Sequence, residues 1–222
     1  MDKFIEIIDL NKSYKSLNVL NKLNLTIDQG EFICIMGANG SGKTTLLKLI
    51  AGMTLPQSGV IKVNGANILQ FDQHQKEFYR GNMISYICQQ SNLLDSLRNI
   101  DNIFLSLAGK QDIDQKYFHL LIETFGIADI LKKYPGQCSQ GQQQKVSIVR
   151  ALIQKPKILL ADEVTAHLDW NNVLFVYDYL KKEAHMNKTT VICITHDYIL
   201  ASHSDRSLYL KNGKLQEMTK SS

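Results

Sequence analysis

The sequence predicts an α/β fold with a mainly parallel central sheet, an N-terminal antiparallel β piece and an inserted helical lobe. Three observations predict it. Short apolar runs such as Ile158-Leu159-Leu160-Ala161 read as strands buried on both faces, as in the interior of a parallel sheet. These runs alternate with segments of helical period. A glycine-rich turn lies where the first such strand gives way to a helix, the position at which open α/β sheets place ligands.

In chain order, Phe4 to Asp9 and Leu23 to Ile27 alternate apolar and polar residues, as half-buried strands do. Asp28-Gln29-Gly30 is a turn, and Glu31 to Met36 is a β-rich run with no polar face. The glycine turn follows, then a helix from Lys43 to about Ala51 with Gly52 as its stop. Val60 to Val63 is a strand ended by Asn64-Gly65, and Met83 to Cys88 is another. From about Ser91 to Gln137 the pattern turns helical, most clearly over Ile113 to Phe125. A further helix over Gly141 to Gln154 is broken by Pro156. Asn171 to Glu183 reads as a helix and Thr190 to Ile194 as a strand. Asn212-Gly213 joins Ser207–Leu210 to Lys214–Glu217 as a hairpin. The expected organisation is one domain over 1–222. Its α/β core comprises 1–90 and 155–222, and the helical lobe spans about 91–154.

Composition excludes several classes. With 44% hydrophobic and 21% charged residues, the chain has the make-up of a soluble globular protein. A net charge of +4, without a dense Lys/Arg patch interleaved with aromatics, argues against nucleic acid as a partner. Cys34, Cys88, Cys138 and Cys193 have neither metal-ligand nor redox-pair spacing and read as reduced thiols. The N-terminus lacks the pattern of a signal peptide, and no apolar run approaches the ~18 residues needed to cross a bilayer. If the chain works at a membrane, another chain does the crossing.

The glycine turn carries the first chemistry. Gly37-Ala38-Asn39-Gly40-Ser41-Gly42-Lys43-Thr44-Thr45 fits the phosphate-loop pattern G-x-x-x-x-G-K-S/T, between a buried strand and a helix. Glycines let the backbone fold tightly and bring its N–H groups against phosphates, and the helix N-terminus adds to the field on the anion. Lys43 reaches the β and γ phosphates as a point charge, and the Thr44 hydroxyl suits Mg²⁺. The pattern makes this a P-loop NTPase binding a nucleoside triphosphate, ATP, with Mg²⁺. The second chemistry is Asp162-Glu163, delivered to the end of the apolar run 158–161. Asp162 is expected to hold Mg²⁺ through water, and Glu163 to polarise the water that attacks the γ phosphate.

Tyr134 to Gln144 then narrows the family. Its core, Cys138-Ser139-Gln140-Gly141-Gln142, resembles the Leu-Ser-Gly-Gly-Gln signature of ABC (ATP-binding cassette) ATPases and matches it at three of five positions. Tyr86-Ile87-Cys88-Gln89-Gln90, Ile194-Thr195-His196-Asp197 and Lys12-Ser13-Tyr14 resemble three further motifs of that family, and the resemblance runs from about Phe4 to Glu217. It implies that Gln89 contacts Mg²⁺ and the reacting water, that His196 touches the γ phosphate and that Tyr14 stacks on adenine. It also implies head-to-tail pairing with a second ATP-binding subunit, a second copy in preference to a different cassette. Ser139, Gly141, Gln142 and Asp169 then act on the partner's ATP.

The chain departs from the family pattern at the surface that faces the partner. Gln140 replaces the first Gly of the signature pair, where a side chain crowds the phosphate or strains the backbone by about 1–3 kcal/mol. Cys138 stands for Leu, Val164 for Pro, and Ala166-His167 for Ser-Ala. The expectation is intact ATP binding with slower turnover. Gln89 to Leu94 and Arg98-Asn99-Ile100-Asp101-Asn102-Ile103 resemble the group that exports antimicrobial peptides and macrolides and releases lipoproteins, using a separate integral membrane permease. That implies a place on the cytoplasmic face of the membrane. An importer, or a regulatory cassette transmitting force to cell-envelope machinery, are the alternatives. A P-loop kinase or GTPase would leave 139–142 unexplained, and the sequence has no Asn-Lys-x-Asp base-reading element.

Overall fold

The computed structural model describes residues 3–15, 17–107, 113–165 and 168–218. Its strands are β1 (Ile5–Tyr14), β2 (Leu17–Ile27), β3 (Phe32–Met36), β4 (Ser58–Val63), β5 (Ala66–Asn67), β6 (Ile84–Ile87), β7 (Ile158–Asp162), β8 (Thr190–Ile194), β9 (Arg206–Lys211) and β10 (Lys214–Glu217). Its helices are α1 (Lys43–Ile50), α2 (Gln73–Phe78), α3 (Asn99–Leu105), α4 (Gln115–Phe125), α5 (Gln140–Leu152), α6 (Trp170–Asn187) and α7 (Tyr198–Ser202).

The strands form two sheets. The central one has the order β10-β9-β3-β8-β7-β6 and is parallel from β9 to β6, with β10 antiparallel at one edge. The other is antiparallel, in the order β2-β1-β4-β5. Its two long strands extend well beyond the alternating runs in the sequence. β1 crosses three register shifts against β2, which scramble the in–out alternation toward Tyr14.

The apolar runs of the central sheet divide at period two between two cores. Phe32, Cys34 and Met36 of β3, Leu159 and Ala161 of β7, and Val191 and Cys193 of β8 face α5, α6 and the helices before α5. Ile33, Ile35, Leu160 and Ile192 face α1 and the antiparallel sheet. Burial on both faces is why these strands read as unbroken apolar runs. The first core is continuous from the central sheet to Phe118, Leu121, Ile122 and Phe125 of α4. Each of these side chains contributes roughly 1.5–3 kcal/mol by leaving water. Tyr117 of α4 donates from its hydroxyl to the buried Glu183 of α6 at 3.2 Å, and Asn187 donates to the other oxygen at 2.8 Å.

Several boundaries differ from expectation for physical reasons. Residues 91–98 are irregular. Asn102, fully buried on α3, holds them by accepting from the Leu94 N–H at 2.7 Å and donating to the carbonyls of Leu94, Leu97 and Arg98. α4 starts at Gln115 because Asp114 caps it through the Tyr117 N–H. α5 ends at Leu152, before Pro156 can act, with Lys155 at φ 49° in the turn. α2, set by an Asp72/Gln75 capping box, and the short α7 carry too few turns to register as periodic patterns.

Candidate functional site

The phosphate loop leaves β3 at Met36, and its glycines sit where other residues would not fit. A Cβ on Gly37 would lie 2.6 Å from the Leu210 carbonyl oxygen. One on Gly42, at φ 105°, would lie 2.5 Å from Val19 Cγ1. Gly42 caps α1 without a side-chain hydrogen bond, and no acidic residue occupies the first turn. The N–H groups of Lys43, Thr44 and Thr45 are therefore unclaimed by any capping side chain and aimed outward as an anion site. Lys43 folds back over the loop, donating from Nζ to the carbonyls of Gly37 (2.9 Å) and Ala38 (3.0 Å). Burial pushes its pKa down, while Glu163 and Asp162 push it back up. Ser41 Oγ is buried with no partner in the loop, and Thr44 is exposed beside it.

Parallel strands deliver their C-terminal ends to one edge of the sheet, and the order β8-β7-β6 brings three predicted residues together there. Asp162 ends β7, and Tyr86 of β6 donates its hydroxyl to Asp162 Oδ2 at 3.1 Å. Burial, then the neighbouring Asp162 charge, drives the ionisation of Tyr86 far upward, so it stays a donor. Glu163 follows at φ 51°, a left-handed conformation that costs a side-chain-bearing residue about 1–3 kcal/mol. Its carboxylate is gripped from both neighbouring strand ends. Oε2 accepts from Gln89 Nε2 at 3.0 Å and Oε1 pairs with His196 Nε2 at 2.7 Å. Gln90, the neighbour that could have been confused with Gln89, instead lines a groove with Ser91 and Gln143.

Tyr14 ends β1 and is 48% exposed, with the Lys12 ammonium 4.8 Å from its ring centre. Val19, pressed against Gly42, holds the β1–β2 hairpin beside the phosphate loop. The predicted partner-facing residues form a second group. Ser139 caps α5 in a reciprocal box with Gln142, and Gly141 lies in the first turn. Asp169 caps α6 through the backbone and side chain of Asn172, bonds that hold its carboxyl below its ordinary pKa. Ser139, Gly141, Gln142 and Asp169 border one cleft of about 580 Å³, which no residue of the phosphate loop lines. Ala166 and His167 lie outside the described residues.

Two features correct or add to the sequence reading. Gln140 is the first residue of α5 and has no positive φ, so the expected backbone strain is absent and crowding alone remains. The hydroxyl of Tyr86 on Asp162 has no signal in the sequence, because nothing in its spacing links a residue of β6 to one 76 positions later.

Residues 20–166 match the family model for ABC transporters, well over half of the chain. The chain belongs to the ABC transporter family, as an ATP-binding subunit. It is 34% identical over 219 residues to the bacitracin export ATP-binding protein BceA of Halalkalibacterium halodurans, covering 95% of this chain and 86% of that one. It is 33% identical over 222 residues to the lipoprotein-releasing system ATP-binding protein LolD of Psychrobacter arcticus, covering 96% and 98%. A dimeric ATP-binding cassette solved in a post-hydrolysis state with ADP and Pi superposes with a TM-score of 0.88. That match has 30% identity and covers 97% of this chain and 98% of the other. The fold is therefore that of a P-loop NTPase cassette, and the activity is ATP hydrolysis. ATP with Mg²⁺ suits the donors present: unclaimed helix N–H groups, a buried unpaired Ser41 hydroxyl, the Lys43 ammonium and an oxygen set from Thr44 and Asp162.

Proposed function

We propose that this cassette drives a separate integral membrane permease that exports or expels peptide, antibiotic or lipid-linked substrates. The carrying observation is near-full-length similarity to cassettes of bacitracin export and lipoprotein release. Among the described residues, no helix is long and apolar enough to cross a membrane. That fits a peripheral subunit on the cytoplasmic face, held there by the permease.

The residues divide the work by position. The loop 37–45 binds the phosphates, with Lys43 leaving its own carbonyls for the β and γ oxygens. Thr44, Asp162 and Gln89 are the oxygen donors for Mg²⁺, which when bound neutralises phosphate charge. Glu163 takes a proton from the attacking water, and Gln89 and His196, already on its two oxygens, orient it. Tyr14 stacks on adenine. Ser139, Gly141, Gln142 and Asp169, grouped on one cleft, meet the γ phosphate bound by a second copy of the chain. The domain division is similar, with 1–90 and 155–222 holding nucleotide and 91–154 supplying Ser139, Gly141 and Gln142 to the partner-facing cleft, which Asp169 of the core completes.

Glu163→Gln tests this reading. Losing a general base costs about 10²–10⁴ in rate. The variant should bind ATP, lose hydrolysis on that scale and elute as a dimer in ATP. Wild-type hydrolysis by the variant would remove Glu163 from the base role.

A further inference from the structure

The end of β1 that carries Tyr14 is held by side chains where the sheet stops holding it. Pairing of β1 with β4 ends at Asn11↔Ser58, after a register shift. Beyond that point β1 keeps only β2 as a ladder partner, through Lys12↔Leu20, Ser13↔Asn18 and Tyr14↔Leu17. The opposite edge is closed by the segment that follows α1. The Gln57 carboxamide acts as a peptide surrogate there. It accepts from the Ser13 N–H at 2.9 Å and donates to the Ser13 carbonyl at 2.9 Å, while the Gln57 N–H reaches the Asn11 carbonyl at 3.0 Å.

Lys12 supplies the other tie. It is only 8% exposed, its Nζ donates to the Leu55 carbonyl at 2.7 Å, and the same ammonium stands 4.8 Å from the centre of the Tyr14 ring. A buried ammonium needs a compensating acceptor, and the Leu55 carbonyl meets that need. The aromatic face is a second, electrostatic partner, strengthened where water is excluded. The chain from 52 to 57 leaves the C-terminal end of α1, whose N-terminal end is the phosphate site. Lys12 and Gln57 therefore couple the strand bearing Tyr14 to the helix bearing Lys43 and Thr44.

We propose that Lys12 is a positioning residue for nucleotide recognition: it fixes one face of the Tyr14 ring and the distance from that ring to the phosphate loop, leaving the other face for the base. The proposal rests on Tyr14 being the adenine platform. It separates affinity for the base from affinity for the phosphates. Loss of Lys12 should affect ligands that carry a base and spare those that do not.

The experiment measures binding of Mg-ATP and of Mg-bound inorganic triphosphate to the purified chain by calorimetry, with steady-state KM and kcat alongside. Lys12→Met should weaken ATP binding about three- to tenfold. It should leave triphosphate binding within error and raise KM with little change in kcat, and Lys12→Arg should restore most of the ATP affinity. Gln57→Ala should show the same selectivity for the base-bearing ligand. Unchanged ATP affinity in Lys12→Met overturns the proposal, as do equal losses for both ligands. Tyr14→Ala distinguishes the two layers. If it leaves ATP affinity intact, the platform reading fails and the proposal falls with it. If it weakens ATP binding while Lys12→Met does not, Tyr14 stands and the positioning role alone fails.

Discussion

Replacing Gln140 by glycine should push stability and turnover in opposite directions. Gln140 is the first helical residue of α5, between the Ser139 cap and its partner Gln142, and its backbone already has helical φ. Glycine there relieves no strain and adds backbone freedom to the unfolded chain, costing about 0.5–1 kcal/mol. For a chain of this length, that lowers Tm by about 1–4 °C. The capping box is untouched, since both of its side chains remain. The Gln140 side chain, however, lies between two clefts, one shared with Ser139 and Asp169 and the other with Gln90 and Gln143. If it crowds the partner's γ phosphate by about 1 kcal/mol in the transition state, its removal speeds turnover about fivefold. Thermal melts and steady-state ATPase rates at saturating Mg-ATP, measured on the same preparations, read the two effects separately. Turnover that stays the same or falls refutes the crowding argument. A rise in Tm refutes the helical placement of Gln140, because only a strained backbone gains from glycine.

Three further outcomes follow from single contacts. Trp170 is the only tryptophan in the chain, follows Asp169 directly and is 47% exposed. ATP added to Glu163→Gln protein should therefore shift its emission to the blue, and an unchanged spectrum in a sample that elutes as a dimer removes Trp170 from the contact. Gly42→Ala forces a side chain into φ 105° against Val19, at about 1–3 kcal/mol of strain before any clash is counted. Urea midpoints and ATP affinity should both fall, and wild-type behaviour in both would contradict the loop geometry. Burial raises the pKa of Asp205, but its bonds to His185 and the Phe32 N–H prevail and hold it below its ordinary value. The folded chain then binds fewer protons than the unfolded one. The stability Asp205 contributes is present above its ordinary pKa and is lost as pH falls through the folded value. Urea midpoints of wild type and Asp205→Asn should differ near neutral pH and converge as pH falls below the ordinary carboxylate range of about 4, and a gap that widens in acid would reverse the sign.

The parts of the site that could be read in the sequence are those set by strand ends. A buried run followed by Gly37, Asp162 or His196 states both the strand and the candidate residue at its end, because parallel strands must end at one edge. The hidden parts depend on contacts between distant segments. Arg98 to Ile103 resembled an exporter motif, yet its Asn99 and Asn102 are fully buried and hold neighbouring backbone. The burial of Lys12 depends on Leu55, far along the chain, which supplies its acceptor. Of the two costs the sequence allows at Gln140, crowding and backbone strain, the helical φ removes the second, since a glycine can be kept for its small size as well as for positive φ.

Binding and hydrolysis make different demands on this chain. The anion site at α1 is preformed: its N–H groups lack a side-chain cap and the Ser41 hydroxyl lacks a partner, so phosphate fills a need already present. Only Lys43 must exchange partners, from two carbonyls to phosphate oxygens. The groups proposed for hydrolysis already satisfy one another within one chain. Glu163 is held by Gln89 and His196, Ser139 by Gln142, and Asp169 by Asn172. In the roles proposed above, each serves the γ phosphate only by adding to or releasing a contact it now has, Ser139 and Asp169 on the partner's nucleotide. Substitutions around α1 should therefore register in affinity, and substitutions around α5 and α6 in rate. On the same proposed roles Gln140 belongs with turnover, and Lys12, acting through Tyr14, with binding of the base.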